Sequence, residues 1–304
     1  MSDSNTLHIS GKVSAALADN KPVVALESTV IAHGLPRPTN LETARKLEAV
    51  VSEAAATPAT IAIIDGQPRI GLDDEQLQLL ATGGDIKKVS IRDLSIALAQ
   101  KWNGATTVAS TCWIAYRAGI KVFATGGIGG VHRGSLPDVS ADLLQLAQTP
   151  IVVVCSGAKI VLNLPATREW LETFGVTVVG YQCDEMPAFY SRRSGLSVDV
   201  RVESGPDVAE IFKAHQRLEM RSALLVTVPV PAEFELPLED TERVLAEALR
   251  EAEQLSITGR DVTPFLLAQM SERSGGATLK ANIALLENNA RVAAEIAKAL
   301  VNED

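Results

Sequence analysis

Short apolar runs that do not alternate with polar residues limit the fold of this chain more than any other feature. Residues 151–154, Ile-Val-Val-Val, are the clearest example. A strand of this kind is apolar on both faces, as in a parallel sheet covered by helices on each side. Similar runs at 22–26, 60–64, 120–125, 176–181 and 223–228 are separated by segments with helical spacing. This alternation predicts an α/β fold with three α/β/α layers and a largely parallel central sheet.

No break in composition divides the chain into domains. Its 304 residues are enough for one large α/β domain or for two smaller ones. Apolar residues make up 46% and charged residues 21%, as in ordinary soluble globular proteins. Because the sequence has no internal repeat and no low-complexity linker, we predict a single domain over residues 1–304. Residues 1–10 and 302–304 are predicted to be loose ends.

Charge and cysteine content exclude several classes of protein. A net charge of −9 disfavours a broad surface for nucleic acid or anionic membrane, since phosphate backbones are bound by surplus Lys and Arg. The three cysteines, Cys112, Cys155 and Cys183, have no C-x-x-C spacing and predict free thiols rather than a disulfide framework. The sequence shows no signal peptide and no run long enough to span a bilayer. We therefore expect a soluble, cytoplasmic protein.

Local signals predict three further details. Asn40 precedes a segment of helical spacing and is predicted to be its N-cap. An Asp65-Gly66 pair between two apolar runs indicates a β-hairpin. Residues 106–110, Thr-Thr-Val-Ala-Ser, are predicted to form a strand.

Two ionisable residues follow predicted strands and are candidates for catalysis. Lys159 lies past run 151–154, after the small residues Ser156-Gly157-Ala158. Ligands bind at the carboxyl ends of strands in open α/β sheets, and a partly dry crevice disfavours a charged ammonium group and so favours a nucleophilic amine. Glu27 ends the first predicted strand. In apolar surroundings a carboxyl group keeps its proton and can act as an acid. Ordinary solvated side chains are the alternative at both positions.

The glycine-rich segment at residues 126–130 follows another predicted strand. Its backbone N–H groups would be able to approach a phosphate closely, although a plain flexible loop is the alternative. A Rossmann fingerprint and a Walker lysine are both missing from the sequence, which disfavours dinucleotide and ATP binding. Beyond the glycines come His132, Arg133, Asp138 and Asp142. Carboxylate oxygens without thiolates suit Mg²⁺ or Mn²⁺ rather than structural zinc, while Asp138 as a simple helix cap is the alternative.

Many short motifs, in order along the chain, make it resemble the pseudouridine-5′-phosphate glycosidases. The resemblance extends from about residue 24 to residue 300. So many unrelated motifs in one order are far more specific than any single one. The matching segments are 25–29, 88–90, 104–108, 126–134, 156–159, 171–176, 187–189, 257–259, 263–265 and 275–289.

The resemblance implies a reaction and an assembly. Members of this family reversibly cleave the C-glycosidic bond of pseudouridine 5′-phosphate with water, giving uracil and ribose 5-phosphate in pseudouridine catabolism. The implied route opens the ribose ring and passes through a lysine imine. It also implies a divalent metal, Mn²⁺ or another such as Mg²⁺, and a homotrimer.

Site residues follow from the resemblance at matching positions. Glu27 is implied to protonate the ribose ring oxygen, Lys159 to add at C1′, and Asp138 to bind the metal. The remaining positions are implied to contact the substrate, with the phosphate at Lys88 and Val108; the others are His132, Ser140, Ala141, Asp142 and Asn282. Asn163 stands where the family pattern has an aspartate, so a negative charge one helical turn after Lys159 is missing.

Two other functions agree with the same residues. One is a lysine-imine lyase or aldolase that acts on another sugar phosphate, because Lys159 and Glu27 do not by themselves specify a uracil leaving group. The other is a sugar-phosphate-binding protein without catalysis. Borohydride trapping with ribose 5-phosphate separates the enzymes from the binding protein, since only an imine is reduced to a stable adduct.

Overall fold

A mainly parallel sheet of eleven strands forms the centre of the molecule in the computed structural model, which describes residues 6–133, 138–257, 259 and 262–301. The strands are β1 (His8–Ile9), β2 (Val23–Leu26), β3 (Thr57–Ile64), β4 (Gln67–Ile70), β5 (Lys87–Val89), β6 (Gly104–Thr106), β7 (Val122–Ala124), β8 (Val152–Cys155), β9 (Thr177–Tyr181), β10 (Val200–Val202) and β11 (Leu224–Thr227). Nine of them are hydrogen-bonded in the order β1-β4-β3-β2-β7-β8-β11-β9-β10, while β6 pairs with β3 and β5. Only the pairs β3–β4 and β3–β6 are antiparallel among the described strands.

Eleven α-helices are described around this sheet. They are α1 (Gly11–Ala18), α2 (Thr39–Glu53), α3 (Asp74–Thr82), α4 (Leu94–Ala99), α5 (Val108–Arg117), α6 (Ala141–Ala147), α7 (Leu164–Thr173), α8 (Gly205–Arg217), α9 (Leu238–Gln254), α10 (Val262–Arg273) and α11 (Ala277–Ala299). Helix α11 packs against α2, α8 and the central strands, whereas α5 packs against α6 and α6 against α7. Right-handed crossovers require this division, because the chain moves one way along the sheet through α2 and the other way through α6.

The central strands form the predicted apolar core. All four residues of β2, of β8 and of β11 are buried, so each of these strands is covered on both faces. The α/β prediction with a largely parallel sheet is therefore confirmed. None of the helices in the described part of the chain is long and apolar enough to cross a membrane.

Several local predictions differ from the structure. Asn40 lies inside α2 and is buried, and its side-chain amide donates to the carbonyls of Ile31 (2.9 Å) and Ala81 (3.0 Å) rather than capping the helix. The predicted strand at 106–110 is wrong, since β6 ends at Thr106 and α5 begins at Val108. Local β-branched composition indicated a strand, but the chain has reached the edge of the sheet there and turns into a helix.

The hairpin prediction is confirmed by antiparallel pairing of β3 with β4 around Asp65-Gly66. At the start of the chain, His8 and Ile9 pair in parallel with β4, so this part of the predicted loose end belongs to the sheet. Residues 1–5 and 302–304, together with Gly134 and Thr258 of the matching motifs, lie outside the described residues.

Candidate active site

Glu27 and Lys159 lie at the carboxyl edge of the sheet and line one pocket. Glu27 directly follows β2, Lys159 follows β8 by four residues, and β7 lies between these two strands. The pocket has a volume of about 50 Å³, and Lys88 and Asn282 also line it. The four predicted site residues therefore share one cavity, although they come from parts of the sequence far apart.

The carboxyl group of Glu27 is buried, with the residue 6% exposed. Burial raises its pKa above the ordinary value; the ammonium group of Lys159 and a hydrogen bond from Thr125 act in the opposite direction but do not reverse the shift. Thr125 Oγ1 donates that hydrogen bond to Glu27 Oε1. Because Oε1 accepts, the carboxyl proton belongs on Oε2. Glu27 is thus suited to hold a proton and to donate it.

A tight turn after β8 sets the position of Lys159. Gly157 has a φ of 78°, and a Cβ atom there would lie 2.2 Å from the backbone oxygen of Pro187. Only glycine combines this left-handed backbone with so close an approach. The backbone N–H of Lys159 donates to the carbonyl of Ile128 (3.1 Å), and that of Ser156 donates to Gly126 (2.8 Å).

The glycine-rich segment therefore pairs with the turn that carries Lys159. Gly126 and Gly127 also line the pocket. A Cβ at Gly127 would lie 2.8 Å from the ring of Phe189, and one at Gly129 would lie 2.3 Å from Ser140 Oγ. The close approach of neighbouring side chains accounts for Gly127 and Gly129 without a phosphate.

Asp142 joins the glycine-rich segment to the start of α5. Its carboxylate accepts hydrogen bonds from the backbone N–H groups of Gly129 (2.7 Å) and Ala109 (2.9 Å). Ser140 is the N-cap of α6 and accepts from the N–H of Asp142, so Ala141 is the first residue of that helix. Asp142 lies close enough to Glu27 to raise the pKa of that carboxyl group. Its role in the described structure is to hold Gly129 and the α5 N-terminus together.

His132 and Asp138 face each other across the loop that follows the glycines. The N–H of His132 donates to the backbone oxygen of Asp138 (2.8 Å), and the side chain of Asp138 is exposed. Burial lowers the pKa of His132, with opposition from the Asp138 carboxylate and support from Lys88 and Lys159. Among the described residues there is no group of three His, Cys, Asp or Glu side chains placed to hold a metal ion. Residues 134–137 lie outside the described residues.

Val108 and Asn163 occupy helix ends near the site. Val108 is buried and is the first residue of α5. Helix α5 follows β6, and β6 pairs with β5, which contains Lys88, so the positive end of the helix lies on the side of Lys88. Asn163 is the N-cap of α7, and its side chain accepts from the N–H of Ala166 (3.1 Å). The residue that stands in place of the family's aspartate after Lys159 is therefore the uncharged N-cap of α7.

Sequence reasoning missed Asn289 and Thr125, which support the catalytic pair. Asn289 is fully buried, and its amide donates to the carbonyl of Thr125 (2.9 Å) and to Ser156 Oγ (3.2 Å). It thereby connects the end of β7 to the turn after β8. Asn282 and Asn289 lie seven residues apart on the apolar face of α11. Two amides on an apolar face indicate buried side chains that need hydrogen-bond partners, and this pattern could have identified both residues from the sequence.

Arg133 holds the chain immediately beyond Lys159. Its guanidinium donates to the carbonyls of Leu162 (3.0 Å) and Ile160 (3.3 Å). The same group forms two hydrogen bonds with the carboxylate of Glu242 in α9, at 2.7 and 2.8 Å. The planar guanidinium group has five N–H donors, so it can bind the two carbonyls and the carboxylate at the same time. A lysine ammonium group would not reproduce this geometry.

Comparison with known proteins identifies the family. The family model described as "Indigoidine synthase A like protein" matches residues 12–299. A pseudouridine-5′-phosphate glycosidase of Caldanaerobacter subterraneus subsp. tengcongensis is 50% identical over 293 residues, which cover 96% of this chain and 95% of the relative. The enzyme of the same name from Symbiobacterium thermophilum is 51% identical over 295 residues, covering 95% and 96%.

Two solved structures share the fold. The prealnumycin C-glycosynthase AlnA, in complex with ribulose 5-phosphate, has a TM-score of 0.89 and 41% identity over 97% of each chain. An indigoidine synthase A-like protein of Thermotoga maritima has a TM-score of 0.91 and 38% identity over 99% of each chain. The chain therefore belongs to the indigoidine synthase A-like family, together with the pseudouridine-5′-phosphate glycosidases that it resembles.

Proposed function

We propose that this enzyme reversibly cleaves the C-glycosidic bond of pseudouridine 5′-phosphate with water, giving uracil and ribose 5-phosphate. The observation that carries the proposal is the shared pocket of Glu27 and Lys159, in which the first is a buried acid with a raised pKa and the second an amine. The curated relatives at about half identity over nearly the whole chain bear the name of this activity. AlnA, a C-glycosynthase, binds a pentulose phosphate.

The chemistry of a C-glycoside explains why both groups are needed. Uracil is joined to C1′ through carbon, so its direct departure would leave a poorly stabilised carbanion. In the proposed route, Glu27 protonates the ribose ring oxygen, and the bond between that oxygen and C1′ breaks. The amine of Lys159 then forms a bond to C1′.

Departure of the base completes the first half of the reaction. The nitrogen of Lys159 first gives up the proton that it gained on adding to C1′. Its lone pair then forms a C=N bond while the bond from C1′ to uracil C5 breaks, and uracil C5 takes up the released proton. Water then hydrolyses the imine, which releases ribose 5-phosphate and regenerates the amine. Lys159 must therefore be without its extra proton when it adds to C1′, and Glu27 must hold the proton that it donates to the ring oxygen.

The phosphate end of the substrate is assigned to the side of Lys88. Lys88 lines the pocket at β5, and β5 pairs with β6, which leads into α5 at Val108. An ammonium group and the N-terminus of a helix are both favourable partners for a phosphate dianion. Asn282 lies in the same pocket and offers an amide to the base or the sugar.

A divalent cation fits the exposed carboxylate of Asp138. Mg²⁺ and Mn²⁺ accept a single protein carboxylate with water in the remaining positions, and Asp138 is exposed enough to allow such a shell. Among the residues that the structure describes, no set of donors fits a structural zinc site. A cation held there would supply positive charge for an anionic substrate. We also propose a cytoplasmic homotrimer, which sedimentation analysis of the purified protein tests by its mass.

Borohydride trapping tests the assignment of Lys159. The protein is incubated with ribose 5-phosphate and borohydride, and mass spectrometry locates the adduct in the native chain, in Lys159→Ala and in Lys280→Ala. Lys280 is an exposed lysine of α11 and serves as the matched control. We expect one adduct in the native chain and the control and none in Lys159→Ala. An adduct that survives in Lys159→Ala would refute the proposed nucleophile.

A second candidate is imine chemistry on another sugar phosphate. The similarity to AlnA favours it, since that protein is named for a different C-glycoside. Ultraviolet absorbance with pseudouridine 5′-phosphate decides between the two candidates. Trapping without cleavage of this nucleotide, combined with turnover of another aldose phosphate, would establish the second candidate.

A further inference from the structure

A second, larger cavity adjoins the catalytic pocket. Its volume is about 490 Å³, against about 50 Å³ for the catalytic pocket. Five residues line both cavities and form the boundary between them: His33, Gly34, Pro264, Leu267 and Asn282. We call the second cavity the outer chamber. The two cavities are therefore neighbouring compartments of one site.

The boundary lies at one particular end of the catalytic pocket. Glu27, Lys88 and Lys159 line the catalytic pocket and do not line the outer chamber. Asn282 lines both. If the phosphate of a nucleotide lies near Lys88 and its C1′ near Lys159, the five shared residues, Asn282 among them, mark where its base can reach the outer chamber.

Most of the outer chamber is apolar. Leu35, Pro36 and Tyr190 line one part, and Ala268 and Leu279 line another. Uracil is a compact polar ring that hydrogen-bonds along its edges, so it gains little from such a surface. An apolar cavity of this size is typical of sites that bind hydrophobic and aromatic groups. Glu272 also lines the chamber, and its carboxylate disfavours an anionic occupant.

We infer that the enzyme accepts C-ribonucleotides whose base carries an uncharged aromatic substituent, and that the outer chamber binds this substituent. The inference rests on the proposed function, since it assumes the same bonds to C1′ and the same lysine imine. It extends the substrate class from pseudouridine 5′-phosphate to larger aromatic C-nucleotides. The phosphate and ribose keep their places, and only the outer end of the base changes.

The probe is 1-benzylpseudouridine 5′-phosphate, in which the benzyl group lies on the base away from the ribose. Its cleavage is compared with that of pseudouridine 5′-phosphate in the native enzyme, in Ala268→Phe and in Gln269→Phe. Ala268 is an exposed residue that lines the outer chamber but not the catalytic pocket, and a phenyl ring there adds bulk to the chamber wall. Gln269 is the next residue of α10 and lines neither cavity, so the same substitution there is the matched control.

We expect the native enzyme to cleave both compounds with kcat/KM values within about tenfold of each other. Ala268→Phe should lower kcat/KM for the benzyl compound by roughly tenfold to a hundredfold, the usual effect of losing an apolar contact in a specificity pocket, and leave that for pseudouridine 5′-phosphate within about twofold. Gln269→Phe should change neither value. Cleavage of pseudouridine 5′-phosphate alone, or an equal loss on both compounds in Ala268→Phe, would overturn this inference. Failure of the native enzyme on both compounds would overturn the proposed function as well.

Discussion

Gly157→Ala is the substitution with the most specific expected consequence. Gly157 has a φ of 78°, and its Cβ would lie 2.2 Å from the backbone oxygen of Pro187. The left-handed backbone costs a residue with a Cβ about 1–2 kcal/mol. Insertion of a methyl group against fixed backbone costs about 1–3 kcal/mol more, because no side chain can rotate away. The free energy of unfolding should therefore fall by roughly 2–5 kcal/mol.

Gly175→Ala is the matched control for this experiment. Gly175 has a φ of 68°, and a Cβ there would meet no atom within 4 Å. It should lose only the backbone contribution of about 1–2 kcal/mol. Urea denaturation measures both free energies, and borohydride trapping with ribose 5-phosphate measures how well Lys159 is placed. Gly157→Ala should trap at least tenfold more slowly than the control, because displaced catalytic groups lose rate steeply. Equal stability and equal trapping in the two variants would refute the steric argument.

The remaining predictions concern the groups that support the catalytic pair. Glu27→Gln should be inactive yet more stable than the native enzyme at pH 8. Because the pKa of Glu27 is raised in the folded state, the native enzyme loses about 1.4 kcal/mol of stability for each pH unit between the unfolded and the folded pKa of this residue. Below the ordinary glutamate pKa, the stability difference between variant and native enzyme should not change with pH. Urea denaturation at several pH values checks this, and a constant difference would contradict it. Asn289→Ala leaves buried groups unpaired and should lower the free energy of unfolding by about 1–3 kcal/mol for each group, again by urea denaturation. Arg133→Lys and Glu242→Gln should lower kcat more than they raise KM, whereas Asp240→Asn, at an exposed pair on the same helix, should leave steady-state kinetics unchanged.

Much of the fold was predictable because its signals are local. The apolar run at 151–154 and the Asp65-Gly66 turn carry their structural preference within a few residues, and both predictions are confirmed. The strand predicted at 106–110 was wrong because β-branched residues there begin a helix. Asn40 was misassigned as a cap because its partners, Ile31 and Ala81, belong to other elements. Strand order and long-range hydrogen bonds are not encoded in any short window of sequence.

In the candidate site, too, some residues could be predicted from local sequence and others could not. Glu27 and Lys159 were identifiable because each follows an apolar strand, and the structure brings them to one pocket. Thr125 and Asn289 were not, since their importance comes from contacts with residues far away in the sequence. The metal role of Asp138 and the substrate contacts of His132 stay predictions. The outer chamber depends on residues of α10 and α11 that no motif connects.

Because β7 lies between β2 and β8, the spacing of the sheet fixes how far apart the two strands that precede Glu27 and Lys159 lie. Neighbouring strands lie about 4.8 Å apart, so the two strands β2 and β8 lie roughly 10 Å apart. Glu27 and Lys159 line the same pocket, so both side chains reach into the gap between these strands. Backbone hydrogen bonds set the spacing of the strands, and the turn at Gly157 then sets the position of Lys159 beyond β8. Substitutions elsewhere can therefore change which base is cleaved without altering the distance over which cleavage occurs.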